Sequence, residues 1–354
     1  MRILVIIYAP LGDSLFTVPS LKALHRGYPA AHISLISSRS AREIFADRAE
    51  IDKLLLADGE GQLMKKILEL RSKNFDLALG LCNLGSYLLP LVKADKKAGF
   101  RGDELSLIYD YDLPDDRSLH AVDYCLQIVK KAGGKLQREA FLDLPLFEEN
   151  YQKVSNILLQ NGIKEGEKLI VIHSGGRYFH YKRWPLLRYR HLIKLIDSEF
   201  KLRTVLIGGG SERKRAEYII DKDYKYNRLP LNLIGRLSLR ETAALLDKSF
   251  LLIGNDSAPQ HLASAVSTPV VTLFGPTDPK NFSPYHSPST IVRSNLECSP
   301  CFGWLGDYTQ YLPQYIPSWL GCNGECMKKI SVEDVMKAVK KTIFSPAGNS
   351  YGGG

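Results

Sequence analysis

Between Ile253 and Thr277 the chain reads IGNDSAPQHLASAVSTPVVTLFGPT, and this short stretch gathers groups suited to holding an anion. An apolar run at Phe250–Ile253 enters the polar turn Gly254-Asn255-Asp256-Ser257. A small-residue helix at His261–Val266 and a second apolar run at Pro269–Phe274 follow, and Gly275-Pro276-Thr277 closes the segment. The pattern is that of a βαβ unit. Its helix N-terminus would present unpaired backbone N–H groups and the positive end of the helix dipole to the turn. The ligand such a turn suits is a diphosphate. Asp256 and His261 flank the turn and the helix start, where a group attached to the diphosphate would lie. Taken alone, His261 reads first as a satisfied structural histidine, and its spacing from Asp256 on one turn and helix is what argues for a role at the cleft.

Other segments repeat the theme of a polar loop after a buried strand. Gly12-Asp13 follows the first strand and precedes a helix. Asp13 is either a general base for a hydroxyl nucleophile or a helix N-cap, and Gly12 allows close approach to the backbone. His173-Ser174-Gly175-Gly176 ends another strand, with residues small enough for phosphates to reach backbone N–H groups at Ser174 and Gly175. Lys182 stands just before Trp184-Pro185 at a helix start, as a point charge for a diphosphate leaving group or as a solvated surface charge. Gly208-Gly209-Gly210-Ser211-Glu212 is a strand-to-helix loop without the GxGxxG spacing of dinucleotide-binding proteins. Glu212 is suited to accepting hydrogen bonds from ribose hydroxyls, or to favouring the helix N-terminus. Two DxD triplets, Asp110-Tyr-Asp112 and Asp221-Lys-Asp223, lie in polar connections and read as solvated loops rather than metal sites.

The elements that must carry these loops alternate regularly. Strand patterns at Ile3–Tyr8, Ile33–Ser37, Lys53–Leu56, Leu77–Leu81 and Lys97–Phe100 are separated by helical ones, such as Leu15–His25, Gly61–Lys73 and Ala121–Ala132. Past a helix at Glu149–Gln160 the alternation restarts with strands at Leu169–His173, Arg203–Ile207, Asn232–Ile234 and Phe250–Ile253. Strands spaced by helices predict doubly wound parallel sheets. Two Rossmann-like α/β domains are expected, at 1–160 and 161–330, facing across a cleft. A C-terminal helix over 331–344 and a Gly/Ser/Pro-rich disordered tail over 345–354 follow. Ligands in such sheets bind beyond the carboxyl ends of the strands.

Composition narrows the class. The 354 residues are 45% hydrophobic and 24% charged, as in ordinary globular proteins. No run approaches the roughly 18 apolar residues of a membrane span. The N-terminus opens directly into a strand pattern, so a cytoplasmic location is expected. The net charge is +9. Arg177, Lys182, Arg183, Arg188 and Arg190 crowd a stretch that contains no acidic residue. That cluster suits a phosphate-bearing small molecule or an anionic membrane surface, such as the cytoplasmic face of the inner membrane, and not a nucleic acid. Cys82 and Cys125 sit in apolar contexts as core residues. Cys298, Cys301, Cys322 and Cys326 have the CxxC and CxxxC spacing of a structural zinc site, with disulfides or simply packed thiols as the alternatives.

Taken together, these pieces resemble glycosyltransferase family 9, the ADP-heptose:lipopolysaccharide heptosyltransferases. The matching residues are Gly12-Asp13 with Thr17-Val18-Pro19-Ser20-Leu21, then Lys182-Arg183-Trp184-Pro185 and Gly208–Glu212. They continue through Ile234–Leu239, Asp256-Ser257 with His261-Leu262-Ala263, and Leu273–Thr277. The resemblance implies a GT-B fold and an inverting, metal-independent transfer of heptose from ADP-heptose to a lipopolysaccharide core acceptor. No cofactor is implied for the chemistry. By position, Asp13 resembles the base, and Lys182 with the backbone at Ser174 and Gly175 resembles the phosphate binders. Glu212 resembles the ribose contact and Leu237 the adenine contact. Asp256, Ser257 and His261 resemble the residues around the donor sugar and diphosphate. One departure stands out: the family usually has glycine where this chain has Ala258. An added methyl group there narrows a donor pocket. Two other readings are a transferase of the same fold using another nucleotide sugar for a different surface glycan, and a nucleotide-sugar-binding protein without transfer.

Overall fold

The computed structural model describes residues 1–100, 109–113, 118–176, 180–220, 224, 226–301 and 323–344. Contacts divide the described chain into two units, 1–145 and 146–301 with 323–344.

The first unit is built on β1 (Arg2–Ile7), β2 (His32–Ser38), β3 (Lys53–Ala57), β4 (Phe75–Gly80), β5 (Ala94–Phe100) and β6 (Tyr111–Leu113). All pair in parallel, in the order β3-β2-β1-β4-β5-β6. The connecting helices are α1 (Leu11–Phe16), α2 (Val18–Gly27), α3 (Arg42–Phe45), α4 (Gly59–Leu70), α5 (Asn83–Leu88) and α6 (Ala121–Lys131). Residues 3–7 of β1 are completely buried, as expected of a central strand covered on both faces. The helix expected at Leu15–His25 is two helices. The chain breaks at Thr17, where Pro19 enters the first turn of α2 and cannot donate back to α1. Asp143, near the end of this unit, is paired with Lys22 and with Arg48, the latter at 2.7 Å.

The second unit repeats the plan with β7 (Leu169–His173), β8 (Arg203–Leu206), β9 (Leu231–Asn232), β10 (Leu251–Asn255), β11 (Val270–Phe274) and β12 (Ser289–Arg293). The order β12-β11-β10-β7-β8-β9 is the first sheet's order carried over strand for strand, again all parallel. Its helices are α7 (Glu148–Gln160), α8 (Leu186–Phe200), α9 (Arg213–Ile219), α10 (Leu239–Asp247), α11 (Ala258–Ala265), α12 (Pro279–Phe282), α13 (Glu325–Lys329) and α14 (Val332–Ile343). A domain boundary at 160 would place α7 with the first unit, yet its partners lie in the second. Tyr151 Oη donates to Asp247 at 2.8 Å and Lys153 pairs with Glu241 at 2.5 Å. The C-terminal helix α14 starts at the Ser331 cap, whose Oγ accepts from Asp334 N at 3.0 Å. Val335 and Val339 of α14, both fully buried, join the core formed by Ile170, Ile172, Leu192, Ile253 and Leu273. The expected tail over 345–354 lies outside the described residues.

In both sheets the strand order reverses direction at one place, between β1 and β4 and between β7 and β10. That switch point opens a crevice beyond the strand ends, and it is where doubly wound folds seat ligands. The register brings His173 level with Gly254, so the loops after β7 and β10 leave the second sheet side by side.

Candidate active site

The loops leaving the switch point of the second sheet are tied together by one buried side chain, Asn255. Its Oδ1 accepts from Trp184 N at 3.1 Å and from Tyr189 Oη at 3.0 Å. Its Nδ2 donates to Gly175 O at 2.8 Å and Ser174 O at 3.3 Å. A single amide thus fixes the loop after β7, the entrance to α8 and the end of β10. Arg215 adds a donor to Ser174 O at 2.6 Å.

Asp256 comes next, 9% exposed. Lys182 Nζ lies 3.0 Å from its Oδ2, and Thr277 Oγ1 donates to the same oxygen at 2.6 Å. Gln260 Nε2 donates to Oδ1 at 2.8 Å and is oriented in turn by Thr272 and the Phe282 carbonyl. Burial works against the carboxylate charge. Lys182, Thr277 and His261 outweigh it and hold Asp256 below the ordinary carboxylate range. A fixed anion is therefore what keeps the Lys182 ammonium at the strand ends. His261, one turn into α11, is buried beside Gln260, with Nε2 3.3 Å from the amide nitrogen.

Glu212 forms the other wall. Its Oε1 accepts from Gly176 N at 2.8 Å and its Oε2 from Gly209 N at 2.9 Å, and His173 Nε2 is 3.3 Å away. Burial raises its pKa, but these donors lower it further, to about 2. The fit around this carboxylate requires glycine: a Cβ on Gly175 would stand 1.6 Å from Glu212 Oε1. Gly208, at φ +157, would press a Cβ on Oε2 at 2.4 Å. Leu237 is half-buried in the turn between β9 and α10, beside Gly235 at φ +70.

The second unit therefore brings Ser174, Gly175, Lys182, Glu212, Asp256, Ser257 and His261 to one set of strand ends, with Leu237 on the turn after β9. Gly12 and Asp13 belong to the first unit, in the opening turn of α1 at the carboxyl end of β1. Asp13 is half-buried. Its charge is felt at the neighbouring thiols: burial pushes the Cys82 thiol up to about 11, and Asp13 adds to the shift. Cys125 is raised in the same direction by burial, Cys82 and Asp13. Cys125 is a core residue, as read from the sequence. Cys82 is only partly buried and caps α5, its sulfur accepting from Gly85 N at 3.2 Å.

The basic run is engaged differently from what its spacing suggests. In the basic run, Arg183 donates to Gly176 O at 2.8 Å, Arg188 donates to Ile330 O, and Arg190 donates to Tyr218 O at 2.6 Å while stacking on that ring. These guanidinium groups brace loops and helices. Arg177 lies outside the described residues. Among the late cysteines, Cys298 and Cys301 are exposed, Cys326 is buried, and Cys322 lies outside the described residues. The described residues contain no group of three or more His, Cys, Asp or Glu side chains placed to hold a metal. Of the DxD triplets, Asp110 accepts from Lys97 N at 2.8 Å, the side chain of Asp112 is outside the description, and Asp221 to Asp223 are outside it entirely.

Sequence reasoning gave no role to Asn255, Thr277, Gln260 or His173. Asn255 had one available signal. An amide at the last position of an otherwise apolar buried strand must find partners there.

Comparison with known proteins agrees with this architecture. The family model for glycosyltransferase family 9 (heptosyltransferase) matches residues 63–311. Lipopolysaccharide heptosyltransferase 3 of Escherichia coli K12 is 24% identical over 348 residues, covering 94% of this chain and 95% of that protein. A glycosyl transferase family 9 structure from Veillonella parvula superposes with a TM-score of 0.81 at 23% identity, covering 97% of both chains. The E. coli ADP-heptose lps heptosyltransferase II superposes at 0.73 with 20% identity, covering 97% of this chain and 98% of that one. With two Rossmann-like sheets of one topology in the GT-B fold and a family match over most of its length, the chain belongs to glycosyltransferase family 9 and is a glycosyltransferase.

Proposed function

We propose that this glycosyltransferase moves a heptose from ADP-heptose to a lipopolysaccharide core acceptor, with inversion and without a catalytic metal. The observation that carries the reading is the pair of walls at the second switch point. On one side stands a lysine held by a fixed carboxylate, and on the other a glycine-lined carboxylate suited to ribose hydroxyls. Curated relatives named as lipopolysaccharide heptosyltransferases, and a solved relative named for ADP-heptose, supply the substrate class.

In this reading the diphosphate lies against Ser174, Gly175 and the N-terminus of α11, with Lys182 facing it. Glu212 accepts from the ribose, and Leu237 packs the base. Asp256 and His261 face the donor sugar. Asp13 removes the proton from the acceptor hydroxyl, whose oxygen attacks the anomeric carbon opposite the leaving ADP. The bond to the diphosphate oxygen breaks with its electron pair, and the configuration inverts. Lys182 and the helix dipole meet the negative charge that develops on ADP, so the leaving group needs no metal in this mechanism. The basic excess of +9 supports peripheral contact with an anionic membrane surface at the cytoplasmic face, where such an acceptor is presented. No described helix is long and apolar enough to cross a membrane.

Titration calorimetry with ADP, GDP and UDP tests the donor assignment. ADP should bind at least about tenfold more tightly than the other two, equivalent to roughly 1.4 kcal/mol. Preference for UDP or GDP would instead favour a transferase of the same fold that uses another nucleotide sugar.

A further inference from the structure

The peptide between Ser174 and Gly175 is held from behind by two side chains. Its carbonyl, Ser174 O, accepts from Arg215 Nη2 at 2.6 Å and from Asn255 Nδ2 at 3.3 Å. The bond is trans, so the N–H of the same peptide, on Gly175, points the opposite way. Gly175 is buried, and its N–H meets no acceptor among the described residues. A buried N–H without a partner is rare in a folded chain and calls for a ligand or water. Ser174 stands beside it, 2% exposed, and its hydroxyl likewise makes no hydrogen bond among the described residues. Arg215 itself is placed at a cost. Burial and the charge of Arg183 both lower its pKa, and its Nε is buried without a partner among the described residues. Glu212 favours its charge, but the oxygens of that carboxylate are engaged by Gly176 N, Gly209 N and His173. Arg183 donates to Gly176 O through Nε at 2.8 Å and Nη2 at 2.5 Å. Two guanidinium groups thus back one short loop, and an anion in front of it relieves their repulsion.

We infer that Arg215 is a positioning residue for the donor diphosphate: by holding Ser174 O it presents the Gly175 N–H to a phosphate oxygen, and its charge strengthens that one peptide dipole. The inference rests on the reading of this site as a nucleoside diphosphate site. Its consequence is specific. Arg215 matters to the part of the ligand that carries phosphate and not to the nucleoside. Ser174 O takes a single donor from the guanidinium, so the two-pronged fork of arginine is not required and another cation of similar reach can replace it.

Calorimetry on the full chain tests this with ADP and with adenosine, the latter by displacement of ADP. Arg215→Met should weaken ADP binding about five- to tenfold, the size of one hydrogen bond. The same variant should change adenosine binding by less than about twofold, because adenosine carries the base and ribose but no phosphate. Arg215→Lys, whose ammonium reaches towards Ser174 O, should recover most of the loss for ADP. Equal losses for ADP and adenosine, or a Lys variant as weak as the Met variant, overturn the inference, because a residue that merely held the domain together would behave that way. If thermal melting shows that Arg215→Met does not fold, Arg215→Gln carries the same comparison, since it removes the charge and keeps a polar side chain in place. If GDP or UDP binds in place of ADP, that diphosphate and its nucleoside are compared instead. Failure of the unmodified protein to bind any of ADP, GDP and UDP overturns the site reading and the inference together. Normal binding that is indifferent to Arg215→Met overturns the inference alone.

Discussion

Glu212 and Asp13 are both carboxylates, and their surroundings prepare them for different work. Glu212 is enclosed by two backbone N–H groups and an imidazole, and it stays ionised well into acid. Its folded pKa of about 2 lies below the ordinary 4.5, so its contribution to stability is complete above that ordinary value. The contribution is lost as pH falls from 4.5 towards 2. Denaturant midpoints measured across this window should fall more steeply for the unmodified protein than for Glu212→Gln, and parallel curves would contradict the assignment. Asp13 is half-buried at the carboxyl end of β1 and is the proposed base. Asp13→Asn should lower turnover on the order of 10²-fold or more while ADP affinity stays within about twofold. Steady-state kinetics and calorimetry on the same preparation would separate those two effects.

At the scale of elements, the tight approach of backbone to backbone decides what the fold tolerates. A Cβ on Gly80, at the end of β4, would stand 2.4 Å from Ser86 N in α5. Gly80→Ala should destabilise the protein by about 1–3 kcal/mol or more, because backbone cannot yield as a side chain can. Gly61, inside α4, has nothing within 4 Å of a Cβ, so Gly61→Ala should stabilise by about 0.4–1 kcal/mol. Urea denaturation of the two variants checks both signs. Asn255→Ala should be more damaging than either surface loops or propensity suggest. It strips partners from Trp184 N and Gly175 O, with a cost on the order of 1–3 kcal/mol per stranded group. Much of this layer was legible beforehand. Alternating apolar runs and helical patterns mark β1 to β5 and β7, β8, β10 and β11. The misses have local reasons. Strand β12 lies at the sheet edge with mostly unburied residues, so STIVR shows no continuous apolar run. Helix α5 is six residues long and capped by a cysteine sulfur, which no capping rule anticipates. Strand β6 is three residues long.

At the scale of the whole molecule, one topology is used twice, and each copy places a candidate carboxylate or phosphate-facing loop at its own switch point. The candidate residues could be named from the sequence because strand ends and small-residue loops are local features. Their partnerships could not. Lys182 and Asp256 are 74 positions apart, and Arg188 reaches a carbonyl 142 positions away. The basic run looked like a ligand surface for the same reason: the carbonyls that absorb Arg188 and Arg190 come from remote segments. The account of the molecule stands or falls on transfer itself. The direct measurement is mass spectrometry of a lipopolysaccharide core acceptor incubated with ADP-heptose, using the unmodified protein and Asp13→Asn. The account predicts an acceptor heavier by one heptosyl unit with the unmodified protein, and a rate lower on the order of 10²-fold or more with the variant. Undiminished transfer by Asp13→Asn, or transfer from a UDP- or GDP-sugar with none from ADP-heptose, would contradict it.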